Sequence, residues 1–131
     1  MSEEKNGAVE LYDEGIRYYY GRSAEQDYER AAKCWLLATE AGNLLAVWRL
    51  GVCYEKGHGL TQDYMKAAEC YTKAAKRGCL DAQYSLGYLY EKGLGVDTSY
   101  SMAEVWYLKA AEFGHIDAIR RLNDLREKRL I

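Results

Sequence analysis

The sequence predicts an all-α protein, a solenoid of three like helix-turn-helix units closed by one further helix, and three observations predict it. Shifted by 36 positions, the 131-residue chain aligns with itself without a gap. The aligned residues are small or aromatic and recur at the spacing of a helix face. Proline, the strongest helix breaker, is absent.

The repeat is read residue by residue. Gly15, Gly51 and Gly87 coincide, as do Tyr18, Tyr54 and Tyr90, and Gly21, Gly57 and Gly93. Further along, Tyr28, Tyr64 and Tyr100 match, then Ala31, Ala67 and Ala103, then Trp35, Tyr71 and Tyr107. Ala38, Ala74 and Ala110 precede Gly42, Gly78 and Gly114, and Ala46, Ala82 and Ala118 open the next unit. A single helical pair cannot shelter its own apolar faces, so such units must stack in a row.

Each unit is predicted to hold two helices. The first spans about 46–56 and 82–92, with Leu50, Cys53 and Tyr54, then Leu86, Leu89 and Tyr90, on one face. Asp81 and Asp117 are expected as its N-caps, and Gly57 and Gly93 as its left-handed stops. The second spans 64–77 and 100–113, with Asp63 as cap and Gly78 and Gly114 as terminators. Its apolar stripe is Ala67, Cys70, Tyr71 and Ala74, then Ala103, Trp106, Tyr107 and Ala110. Gly51 and Ala67 let the paired backbones approach, with Tyr54 and Tyr71 filling the space beside them and Tyr18, Tyr54 and Tyr90 mostly core. The organisation is one domain: tail 1–9, repeats 10–45, 46–81 and 82–117, and a capping helix 118–131. In that cap Leu122, Leu125 and Leu130 are expected inward, and Arg121, Asp124, Lys128 and Arg129 outward.

The strings Ala82-Gln83-Tyr84-Ser85-Leu86-Gly87-Tyr88-Leu89-Tyr90-Glu91-Lys92-Gly93-Leu94-Gly95-Val96 and Trp106-Tyr107-Leu108-Lys109-Ala110-Ala111-Glu112-Phe113-Gly114 resemble the Sel-one-like repeat family. Its members are relatives of tetratricopeptide repeats with a slightly longer period. The resemblance covers Glu10 to Ile131 and implies a right-handed α-α solenoid of three repeats plus a C-terminal capping helix. The first copy departs from the pattern: Tyr20-Gly21-Arg22-Ser23-Ala24 lacks the glycine present as Gly59 and Gly95, so a different turn shape is expected there.

Composition narrows the function. A net charge of −2 and a pI near 5.7 argue against a nucleic-acid binder. Charge is uneven: residues 1–30 hold eight acids and four bases, whereas 118–131 hold two acids and five bases. The polar start Met1-Ser2-Glu3-Glu4-Lys5-Asn6 is unlike a secretory signal, and no apolar run is long enough to cross a bilayer. The expected compartment is the cytoplasm, and in it the four cysteines read as buried free thiols.

If the tetratricopeptide register applies, the first helices line a concave face. One row is then Tyr12, Trp48, Tyr84 and Arg120; a second is Ile16, Val52 and Tyr88. A third is Tyr19 with Tyr20, Glu55 with Lys56, and Glu91 with Lys92. Trp48 is the leading contact candidate, because aromatic side chains offer area with few rotors to freeze. The competing reading of the aromatic row is core, and of the two Glu-Lys pairs a solvated surface.

Chemistry is sparse. His58 has Leu94 as its sister and His115 has Asn43 and Cys79, so both read as structural. The cysteines lack metal-site spacing, and Cys53 and His58 fall on different faces. Gly57-x-Gly59 and Gly93-x-Gly95 join helices and are no phosphate cradle. Cysteine-rich relatives in the resembled family have been labelled as β-lactamases, but their regular cysteine pairs have no counterpart here. The expectation is a non-catalytic adaptor that binds a protein or peptide, without metal, cofactor, nucleic acid or membrane, and with weak self-association through the N-terminal repeat. The alternatives are an inhibitor or immunity-type protein blocking a partner enzyme and, more remotely, a hydrolase of the cysteine-rich type or an RNA binder.

Overall fold

The computed structural model describes residues 2–131, with side chains from Gly7 onward. Among the described residues it contains seven helices and no strand: α1 (Ser2–Tyr20), α2 (Tyr28–Glu40), α3 (Leu44–Lys56), α4 (Tyr64–Lys76), α5 (Leu80–Lys92), α6 (Tyr100–Glu112) and α7 (Ile116–Glu127). None of them is long and apolar enough to cross a membrane.

One contact, repeated, sets the packing of each pair. Trp35, Tyr71 and Tyr107 are fully buried on the second helices, and each ring lies flat against a glycine of the preceding first helix. A Cβ on Gly51 would stand 2.5 Å from Tyr71 Cε1, and one on Gly87 would stand 2.7 Å from Tyr107 Cδ1. Gly15 is closed off in the same way by the Trp35 indole. The helix-interior glycine thus offsets its backbone entropy by admitting an aromatic ring that no side chain would allow. Ala31, Ala67 and Ala103 are wholly buried, as expected for a close crossing. Tyr18, Tyr54 and Tyr90, expected as core, are only half-buried. They lie nearer the loops, where Arg30 covers the Tyr18 ring at 5.7 Å and Lys66 covers Tyr54 at 5.6 Å.

Stacking follows from the shared cores. Tyr19, Trp35, Ala46, Leu50 and Cys53 form one cluster, so the first pair is sealed by α3 of the next unit. Tyr71 packs with Ala82, Leu86 and Leu89 of α5, and Tyr107 with Ala118, Leu122 and Leu125 of α7. Leu122 and Leu125 point inward as predicted, but Leu130 is 40% exposed and Ile131 packs in its place. Arg121, expected in water, turns inward to the carboxylate of Glu91.

The helix ends correct two expectations. First helices start two residues early, at Leu44, Leu80 and Ile116, so Asp81 and Asp117 lie in the first turn and are not the caps. An acidic side chain there still favours the positive end of the helix dipole. The cap position holds Asn43, whose side chain accepts from Ala46 N–H, or His115, which accepts from Ala118 N–H. Cys79, between them in the repeat, makes no such bond. Asp27, Asp63 and Ser99 cap the second helices through their side chains, and these helices end at Glu40, Lys76 and Glu112. The expected tail 1–9 is helical from Ser2, and Ala8 is buried with its carbonyl bonded to Asn43. Met1 lies outside the described residues.

The first inter-helix turn keeps the shape of the others. Ser23 adopts φ +58°, beside +78° for Gly59 and +72° for Gly95. What separates the three is crowding. A Cβ at Gly59 would overlap the Tyr28 carbonyl of the preceding unit, and one at Gly95 would overlap that of Tyr64. Within this chain no helical pair precedes Ser23, so its side chain has room.

Candidate functional site

The first helices line a groove of about 440 Å³. Its floor is tied by Trp48, whose Nε1 donates to Ser85 Oγ at 3.1 Å and so links α3 to α5. Toward the C-terminal side, the Tyr84 ring stacks on His115 with centroids 4.9 Å apart at 18°. Tyr20, Trp48, Val52, Glu55, Lys56, Tyr84 and Tyr88, all placed on the concave face from sequence, come together here. Tyr19 also reaches the groove, but only 8% of it is exposed; its hydroxyl is 2.8 Å from His58 Nδ1. Burial pushes that hydroxyl up to about 12, neighbouring Cys53, Tyr28 and Tyr20 add to the rise, and Arg49 opposes it.

The remaining sequence candidates lie elsewhere. Ile16 packs on the first core cluster, and Tyr12 accepts from Arg49 Nε at 3.2 Å at the groove's margin. Arg120 is 75% exposed and sits 3.8 Å from Asp117 in its own helix. Glu91, read as groove-facing or solvated, is 6% exposed. It accepts from Tyr107 Oη at 2.9 Å and from Arg121, with Lys92 Nζ 3.4 Å away. Burial pushes the Glu91 carboxyl up, but hydrogen bonds from Arg121 and Tyr107 and the charges of Arg121 and Lys92 outweigh it, holding it below the ordinary carboxylate range. Lys92 lies beside Glu91 at the edge of this pair, away from the groove wall.

Arg49, Asp81, Ser85, His115 and Asp117 also line the groove, and sequence reading missed all five. Their signal was available: Arg49 and Ser85 share a repeat position, and so do Asp81 and Asp117. The first was passed over because its residue types change from copy to copy, while Asp81 and Asp117 were read as helix caps and His115 as a structural residue.

That variation is what shapes the groove. Three repeat positions meet wherever one unit stacks on the next, and the last junction shows them complete: Tyr107 and Arg121 both bond Glu91, which forms a closed ionic clasp. At the middle junction the same positions hold Tyr71, Glu55 and Ser85. Tyr71 Oη donates to Glu55 Oε1 at 2.8 Å, but serine stands where the arginine would be. At the first junction they hold Trp35, Tyr19 and Arg49: the arginine is present and tyrosine replaces the glutamate. Arg49 instead donates to the hydroxyls of Tyr12 and Tyr20, the latter at 2.9 Å, with its guanidinium 4.7 Å from the Trp48 centroid. Among the described residues neither Arg49 nor Glu55 has a partner of opposite charge.

The one histidine–carboxylate pair has no spare base. His115 Nε2 lies 3.0 Å from Asp81 Oδ1, and Nδ1 accepts from Ala118 N–H, so the proton resides on Nε2 and both nitrogens are engaged. Ser85 Oγ, nearby, donates to the Asp81 carbonyl at 2.8 Å. His58 is stacked flat on Tyr28 at 4.1 Å, and burial with the Lys56 charge lowers its affinity for a proton. Among the described residues no three His, Cys, Asp or Glu side chains gather as a metal site would require.

Stacked helical hairpins with an aromatic-lined inner groove define a helical-repeat scaffold of the kind that holds other proteins. The model of the Sel1 repeat matches residues 11–43, 44–79 and 80–115, and the chain belongs to that family, whose repeats generally mediate protein interactions. Three solved structures are similar. A protective antigen of uropathogenic Escherichia coli displaying an SLR fold, c5321, is 33% identical with a TM-score of 0.89 over 95% of this chain, which spans 27% of that protein's length. A Sel1 repeat protein from Oxalobacter formigenes is 35% identical with a TM-score of 0.80, covering 94% of this chain and 93% of the other. Cysteine rich protein B of Helicobacter pylori is 25% identical with a TM-score of 0.68, covering 89% and 92%. No curated protein matches by sequence.

Proposed function

We propose that the chain is a non-catalytic adaptor, working in the cytoplasm, that holds a segment of another protein in the concave groove. The observation that supports this is the gathering of Trp48, Tyr84, Tyr88 and Tyr20 around a half-buried cation that has no counter-ion among the described residues. Rigid aromatic side chains supply contact area at small entropic loss, and a desolvated guanidinium supplies direction. Met65, 68% exposed on α4, lies outside this groove.

The test uses the immobilised chain as bait in a native lysate. Tyr88→Glu, in the groove, is expected to lose the retained protein while keeping wild-type helicity and melting. Met65→Glu, on the outer face, is expected to retain it. Loss of capture by the outer variant with retention by the groove variant would move the binding face and overturn this reading.

A further inference from the structure

We propose that the groove recognises an extended protein segment carrying one acidic and one basic side chain, the acid seated on Arg49 and the base on Glu55. The inference rests on the adaptor reading and adds the chemistry of its partner. It follows from the incomplete clasps. Where the clasp is whole, Glu91 and Arg121 neutralise one another and neither is free to meet a ligand. The two earlier junctions each keep half of the pair, and both halves line the same groove. Tyr19 in place of a glutamate leaves Arg49 unmatched, and Ser85 in place of an arginine leaves Glu55 unmatched.

Both half-clasps are held in place. Two tyrosine hydroxyls and the Trp48 face fix the Arg49 guanidinium, while Tyr71 Oη fixes one oxygen of Glu55 and leaves the other open. A partner carboxylate on Arg49 and a partner ammonium or guanidinium on Glu55 would each form a charge-assisted bond with groups already oriented, which lowers the ordering cost. The two sites lie on one helix, six residues or about 9 Å apart along α3. An extended segment advances about 3.3 Å per residue, so its acid and base stand two or three positions apart. Val52, between them on α3, and Trp48, one residue before Arg49, meet the intervening side chain.

The variant that isolates this idea is Ser85→Arg, which installs at the middle junction the residue that closes the last one. It should pair with Glu55 and remove the open carboxylate while leaving the chain folded. Glu55→Gln removes the same charge isosterically. A library of random peptides displayed on phage is selected against the wild-type chain, and an enriched peptide is synthesised and titrated against wild type, Ser85→Arg, Glu55→Gln and Arg49→Gln. The expected peptides carry Asp or Glu two or three positions from Lys or Arg, and each variant weakens binding by about tenfold or more. Ser85→Arg gives up the bond from Trp48 as it gains the pair with Glu55, so its melting temperature should stay close to that of the wild type. Enriched peptides without that charge pair, or with affinity indifferent to Ser85→Arg and Glu55→Gln, overturn the inference and leave the adaptor reading standing. Failure to enrich any groove-bound peptide overturns both.

Discussion

The indole nitrogen of Trp48 donates to Ser85 Oγ at 3.1 Å, joining two consecutive first helices across the groove floor. The same side chain packs partly on the core around Tyr71 and presents its other face to the Arg49 guanidinium. Trp48 therefore both lines the groove and ties its two helices together.

Trp48→Ala should for that reason cost stability as well as binding. Truncation removes a half-buried ring and a hydrogen bond, so denaturant unfolding should show a loss of about 2 kcal/mol, less than for a fully buried tryptophan. Trp48→Phe keeps an aromatic ring but loses the bond to Ser85 and part of the indole's area, for about 1 kcal/mol, less than Trp48→Ala. An unchanged midpoint for Trp48→Ala would put the indole outside the core.

Glycine-to-alanine changes should have opposite signs along the chain. A Cβ at Gly7 meets nothing within 4 Å, so Gly7→Ala in α1 should gain about 0.5–1 kcal/mol from helix propensity. At Gly51 the same methyl stands 2.5 Å from the Tyr71 ring, and Gly51→Ala should lose about 1–3 kcal/mol despite that propensity. Thermal melts of the two variants suffice, and equal shifts would refute the ring-on-glycine packing.

The turns give a second pair. Ser23 holds φ +58° with open space around its side chain, so Ser23→Gly relieves left-handed strain and should be neutral or stabilising by up to about 1 kcal/mol. Gly59→Ser puts a side chain against the Tyr28 carbonyl and should destabilise by about 2 kcal/mol or more. Similar melting temperatures for the two would show that the units do not approach as closely as described.

The Glu91–Arg121 clasp predicts acid sensitivity. The folded carboxyl lies below its ordinary value of 4.5, so its contribution is full above that value and is lost as pH falls through the lower folded value. Glu91→Gln should lower stability by about 1–3 kcal/mol at neutral pH. That deficit should shrink in urea titrations run at successively lower pH below 4.5, as the wild-type carboxylate takes up its proton. A deficit independent of pH would mean the carboxylate charge contributes nothing.

The fold was legible because stacking demands the same small and large residues at the same place in every unit. Gly51 and Tyr71 were visible as repeat positions before their contact was known, since nothing else fits a flat ring against a helix backbone. Helix starts were misread by two residues because Asp81 and Asp117 resemble caps in isolation, while the capping positions hold the dissimilar Asn43, Cys79 and His115. Glu91 was misplaced for a related reason: a glutamate beside a lysine looks solvated until the arginine that reaches it, 30 residues on, is seen.

By itself the sequence determined the period, the helical pairs and their order, because these depend on short-range spacing and on burial every unit must satisfy alike. Only the tertiary structure decided which charges are paired and which are open. A charge pair is set by contacts between units, at positions where the repeat is free to vary, and the sequence carries no period for what differs from copy to copy. Among the described residues Arg49 and Glu55 have no partner of opposite charge because Tyr19 and Ser85 sit opposite them, and that opposition exists only once the hairpins are stacked.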